Sequence, residues 1–205
     1  MIHSKHWSYF RMPLYQRLIV AALSGGLVGL LWANSFFISI DFKIPDYLEA
    51  WIVFGIGGAI FSLTVMVPFL SARSMHWLRI LALIGVGGLS YVFAIETYGE
   101  LMYFSWPTDT PVTRSYLEIF SDRYAYEIAG LVGALIVGTG GVLFLRMKMQ
   151  WRFVLSIITA GVLGGIVFDL TGGSWAQSTS DSVISHAAWQ TLVCAALCVA
   201  KIDTR

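Results

Sequence analysis

Six long apolar blocks, separated by short polar stretches, dominate the chain. They lie near 18–38, 51–71, 79–96, 126–145, 153–170 and 184–200. A helix crosses a bilayer with about 20 predominantly apolar residues, and each block comes close to that length. Little is left over for a soluble domain. Residues 1–205 therefore read as a single membrane domain, an all-α polytopic protein with six transmembrane helices. Arg11 and Arg17 precede the first block as they would precede a signal peptide. That block, however, continues through Trp32, Phe36 and Phe37 without a small-x-small cleavage site, so it is read as a span.

The polar stretches differ in length. Those over 72–78 and 147–151 are short, which predicts antiparallel packing of the helices on either side. The longest, 97–125, is expected as a large extracytoplasmic loop. Trp106-Pro107 and Thr110-Pro111 break any continuous helix there. Within it, 115–124 has the spacing of a short amphipathic helix, with Tyr116, Leu117, Phe120 and Tyr124 on one face. Such a segment suits a lid or partner surface, or a belt of Trp and Tyr at the headgroup level.

Composition supports the membrane reading. Apolar residues make up 57% of the chain and charged residues 12%, against roughly 25% charged in soluble domains. Most of the 20 Gly fall inside the apolar blocks. Small residues four apart form ridges: Ala21, Gly25 and Gly29 in the first span, Gly130, Ala134 and Gly138 in the fourth, and Ala160 and Gly164 beside Gly161 and Gly165 in the fifth. Ridges of this kind let membrane helices approach closely, so a tightly packed, Gly-rich bundle without a wide pore is expected. The clusters Gly55, Gly57, Gly58 and Gly138, Gly140, Gly141 are candidate points for loosening the second and fourth helices.

The charges are segregated. Lys5, Arg11, Arg17, then Arg73, Arg79, then Arg146, Lys148, Arg152, then Lys201, Arg205 fall at the termini and alternate gaps. Every acid except Asp203 falls in the other gaps. The distribution of Lys and Arg orients a polytopic protein, so both termini are expected in the cytoplasm of a bacterial inner (plasma) membrane. The acids are not needed for orientation. An acid-rich outer face attracts cations and repels anions within a Debye length of roughly 8 Å. The odd-numbered spans repeat a pattern: Arg17, Arg79 and Arg152 are each followed seventeen positions later by Asn34, Glu96 and Asp169. That interval is roughly 25 Å of helix. Orientation and Gly packing account for it without an ancestral repeat.

Candidate chemistry is concentrated in the last span. His186, Gln190, Cys194 and Cys198 recur every four residues and form one stripe. Beside it runs a small stripe, Ala187, Thr191 and Ala195, and Trp189, Val193 and Leu197 are expected to face lipid. A polar stripe within a span faces protein or a water cavity. Glu96, Glu127, Asp169 and His186 are expected at one depth, where they would converge on a cation or polar solute, with Gln190 beneath. The other His residues, His3, His6 and His76, belong to the opposite side, so no metal site is expected and no cofactor is indicated. Cys194 and Cys198 read as buried thiols. No G-x-S-x-G, H-E-x-x-H, phosphate-loop or paired-Cys zinc signature occurs, so enzymatic activity is not the expectation. The leading expectation is a small-solute or cation transport or binding component with an acidic vestibule. The alternatives are an accessory subunit of a larger membrane complex and, third, an intramembrane enzyme. The expected partners are the lipid bilayer and other membrane subunits, not nucleic acid.

Overall fold

A computed structural model describes residues 13–33, 46–70, 76–105, 116–171 and 178–200. The described residues are helical: α1 Leu14–Ala33, α2 Asp46–Phe61, α3 Trp77–Ser105, α4 Tyr116–Phe144, α5 Trp151–Leu170 and α6 Thr179–Val199. Among the described residues, five helical stretches are long and apolar enough to cross a membrane, and Phe54–Phe69 is a shorter apolar helix.

Within the second segment the helix changes type. α2 passes into a π-turn, Ser62–Met66, and a 3₁₀ turn, Val67–Phe69. Pro68 supplies the reason. It has no N–H for the carbonyl four residues back, and its ring crowds that carbonyl. Val67 N–H instead reaches Ser62 O, the i→i+5 bond of a π-turn. The expected loosening of α2 therefore falls one turn beyond Gly58. The corresponding expectation for the fourth helix is not met: α4 is regular through Gly138–Gly141, and its one non-helical residue is Tyr124. A Cβ at Gly138, Gly140 or Gly141 would meet side chains of Ile157, Val86 or Met147 respectively, so these glycines accommodate neighbours rather than weaken the helix.

α3 and α4 extend into the stretch expected as the 97–125 loop. Each has 29 residues, roughly 43 Å at 1.5 Å per residue, which exceeds the roughly 30 Å hydrocarbon core. α3 is described as far as Ser105, and Trp106-Pro107 lies outside the described residues. Of the segment expected as a helix over 115–124, the part from Tyr116 is described as the start of α4, set off from the rest by the kink at Tyr124.

Close contacts give the topology. Gly58 packs on Gly87, and Ser62 Oγ donates to Leu83 O at 2.6 Å, so α2 and α3 run antiparallel. Gly133 meets Ala94 and Gly140 meets Val86, which makes α3 and α4 antiparallel. Gly130 lies on Gly161 while Gly138 lies on Ile157, which does the same for α4 and α5. Gly164 against Trp189 and Thr171 bonded to Ser185 pair α5 with α6. α1 meets α2 through Gly57 on Val28 and a 2.7 Å bond from Ser24 to Thr64. Finally α1 packs along α6, with Gly25 on Ala187 and Gly29 on Ser182. The six segments thus form an up-and-down ring that α1 and α6 close. All three expected small-residue ridges lie in such contacts. The short connection between α4 and α5 begins with Met147 N–H returning to Gly141 O and Arg146 at φ 56°, a left-handed helix stop.

The interior of the ring is filled. Phe61, Leu83, Val137, Val193 and Leu197 are fully buried and Trp189 is 5% exposed. Trp189 packs edge-on to Tyr91 at 5.3 Å and against Phe61 at 5.7 Å. This corrects the expectation that Trp189, Val193 and Leu197 face lipid. α6 is flanked by α1 and α5 and presents a third face to the centre. Its outward residues are Ile184 and Val199.

The alternation of directions sorts the charges. Glu96, Glu100 and Asp169 in the later parts of α3 and α5 share an end with Asp46, Glu127 and Asp181 in the early parts of α2, α4 and α6. Arg17, Arg79 and Arg152 begin α1, α3 and α5 at the opposite end, with Arg146 and Lys148. Asn34, the first span's counterpart of Glu96 and Asp169, lies outside the described residues.

Candidate functional site

A cavity of about 90 Å³ opens near the acid-rich end of the ring. Its walls are aromatic: Trp32 from α1, Tyr91 and Tyr98 from α3, Tyr126 from α4, Phe168 from α5 and Trp189 from α6. Ser90, Ala94, Ala129 and Gly130 leave room between the rings, and His186 completes the wall. No carboxylate and no Lys or Arg is among the lining residues.

Helix packing holds this geometry. Gly25 and Gly29 bring α1 onto the backbone of α6 at Ser182–Ala187, which sets Trp32 beside His186, with ring centroids 6.5 Å apart. Phe54 of α2 backs Trp32 at 4.8 Å. Ser182 Oγ donates to Gly29 O at 3.1 Å, tying the same two helices together. On the opposite wall, Tyr126 stacks on Tyr98 at 4.4 Å, and Tyr126 OH donates to Tyr98 OH at 2.9 Å.

His186 is 6% exposed and surrounded by rings. Tyr91 stacks beside it at 6.2 Å and Phe168 meets it edge-on at 5.1 Å. Its Nδ1 lies 2.8 Å from Ser182 O. A carbonyl oxygen only accepts, so Nδ1 carries the proton in that bond. In the neutral ring Nε2 is then an acceptor, and no hydrogen bond to it is present among the described residues.

Beneath the cavity floor, Gln190 is fully buried. Its Nε2 donates to Tyr91 OH at 2.7 Å, while its Oε1 has no hydrogen-bond partner. An orphaned buried acceptor costs about 1–3 kcal/mol, so this amide is held by packing and by Tyr91 rather than by a complete polar network.

Of the residues singled out in the sequence, His186 and Gln190 are adjacent to the cavity, and Tyr91 connects them. Glu96, Glu127 and Asp169 share that end of the ring without lining the cavity. Asp169 is exposed, because one residue beyond the inward-facing Phe168 the helix has turned by about 100°. Glu96 and Glu127 are partly buried. Glu127 lies against Gly165 of α5, and its Oε2 is shielded without a hydrogen-bond partner. Asp181 is engaged in capping α6: its N–H donates to Ser178 Oγ at 3.3 Å. The six wall aromatics were not anticipated. The signal available for them was six rings, spread over five spans, in the halves of those spans nearer the acid-rich end.

At the other end, Arg17 reaches Cys198 Sγ at 3.9 Å and lies over the Phe69 ring, and the Cys194 thiol points to Arg17 O at 3.8 Å. Both cysteines are free thiols. Among the described residues no three His, Cys, Asp or Glu side chains cluster as a metal site would require.

The arrangement can enclose a small group, offer it several π faces, and accept one hydrogen bond. Compared with known proteins, the chain matches no family pattern, no curated protein and no solved structure.

Proposed function

We propose that this chain is an integral membrane protein that binds a small organic solute at the acid-rich end of its ring and forms the solute-recognising part of a transport process. The observation that carries this reading is the aromatic cavity, about 90 Å³, with an open acceptor at His186. Ligand sites of this type are concave and mostly apolar, with a few placed polar groups, and they lie between the helices of bundles. An engineered apolar cavity of about 150 Å³ admits benzene, so this one takes a smaller group or the head of a longer molecule. The charge pattern supports an orientation with both termini in the cytoplasm of a bacterial inner membrane and the cavity outward. Glu96, Asp169 and Glu127 then act as a surrounding field rather than as direct ligands.

The test is a thermal-shift screen of the purified protein in lipid nanodiscs against a library of small polar and aromatic solutes. Hits are repeated on Ala94→Phe, which fills the cavity from its α3 wall. A saturable stabilisation that disappears in Ala94→Phe is the expected result. Hits that persist undiminished in the filled variant, or a library without hits, would count against the cavity as a binding site.

A further inference from the structure

We infer that the solute held in this cavity is an organic ammonium ion that retains at least one N–H. This rests on the solute-binding reading above and specifies its ligand.

Three independent observations converge. The first is the wall. Trp32, Tyr91, Phe168 and Trp189 surround the space beside His186, and ring faces attract cations through their quadrupole, Trp most strongly. The second is the hydrogen-bonding inventory. His186 Nδ1 is committed to Ser182 O, which leaves Nε2 as the acceptor of a ring that lines the cavity. An ammonium N–H satisfies it, whereas a carboxylate or phosphate meets it as a second acceptor. The third is the charge around the entrance. Glu96, Glu100, Glu127, Asp169 and Asp181 all belong to this end of the ring, while no Lys or Arg lines the cavity. The field at the mouth therefore concentrates cations and opposes anions, and no cationic side chain lines the cavity to pair with a buried negative charge. The cavity volume limits the group that enters to about the size of an alkylammonium head.

The N–H requirement separates this ligand from a quaternary ammonium. A quaternary head takes the π faces but leaves Nε2 without a donor, and a buried group left unpaired loses affinity.

The experiment is isothermal titration of the protein in nanodiscs with a shape-matched series: a primary alkylammonium, its quaternary trimethyl analogue, the neutral alcohol of the same skeleton and the corresponding carboxylate. The primary ammonium is expected to bind tightest, the quaternary analogue and the alcohol each about tenfold weaker, and the carboxylate not at all. Phe168→Leu separates the cation–π contribution from simple apolar contact. It is expected to weaken the ammonium several-fold more than the alcohol, and because the substitution is apolar for apolar the ring should still fold. His186→Phe keeps a ring in place and removes the acceptor, and it should bring the primary and quaternary ions to similar affinity. Alcohol binding as tight as ammonium, carboxylate binding, or equal losses for alcohol and ammonium in Phe168→Leu would overturn the ammonium assignment. So would the absence of any ammonium binding while another solute class stabilises the protein in the thermal-shift screen, and in that case the solute-binding reading would still stand. No binding in either experiment would overturn both.

Discussion

Replacing Gly25 with Ala tests whether α1 is seated on α6 as closely as the ring requires. A Cβ at Gly25 would lie 2.6 Å from Ala187 Cα and 2.7 Å from the carbonyl carbon of His186. Carbon atoms settle at roughly 3.5–4.0 Å, so the two backbones must separate by about 1 Å. The obstructing atoms are main chain in the middle of α6, so no side-chain rotation relieves the clash. Overpacking of this kind costs about 1–3 kcal/mol. Gly26 is an internal control in the same helix turn. Its Cβ would meet only Val183 Cγ1, at 3.6 Å, an ordinary contact. Both substitutions carry the same intrinsic helix gain, up to about 1 kcal/mol, so the difference between them isolates the interface. Equilibrium unfolding in mixed micelles should show Gly26→Ala neutral or slightly stabilised and Gly25→Ala destabilised, a gap of about 2 kcal/mol or more. Because Gly25 packs against the carbonyl of His186, the same variant should also weaken solute binding. Equal stability of the two variants would refute the close α1–α6 contact and with it the closure of the ring.

Other consequences can be checked in the same preparation. Gln190→Met removes a hydrogen bond to Tyr91 and also an orphaned acceptor, so the two terms offset and unfolding should shift by no more than about 1 kcal/mol. A loss above about 3 kcal/mol would mean that Oε1 is satisfied in the folded protein. For orientation, a reporter enzyme that is active only outside the cytoplasm should be inactive when fused after Arg205 and active when inserted in 106–115. The reverse pattern would overturn the assignment from Lys and Arg.

Much of this architecture was legible because the bilayer imposes simple constraints. Arg17, Arg79 and Arg152 mark the starts of three helices that run in one direction, as expected where charge must stay at an aqueous face. The Gly and Ala ridges were recognisable as contacts because an interval of four residues places them on one face. The helix-length expectation failed for α3 and α4, whose ends extend beyond 96 and before 126. Hydropathy reports where lipid would be favourable, not where backbone hydrogen bonding continues into the interface.

The candidate site was less legible. His186 and Gln190 were identified by their polarity within an apolar run. Trp189 was assigned to lipid because α6 has polar, small and apolar stripes, and an apolar stripe in a membrane helix can face lipid or protein with equal ease. Asp169 stands out in the sequence by its charge and Phe168 does not, yet a rotation of one residue puts the carboxylate outside and the ring inside.

The sequence by itself determined helices long and apolar enough to cross a membrane, the segregation of acids from bases and the faces on which helices approach closely, because length, charge and periodicity are local properties. Tertiary structure alone decided that α1 closes the ring against α6 and that rings from five helices meet around His186. Those outcomes depend on which faces meet across the bundle. In an apolar solvent this is settled by backbone contact and steric fit, which hydropathy does not encode.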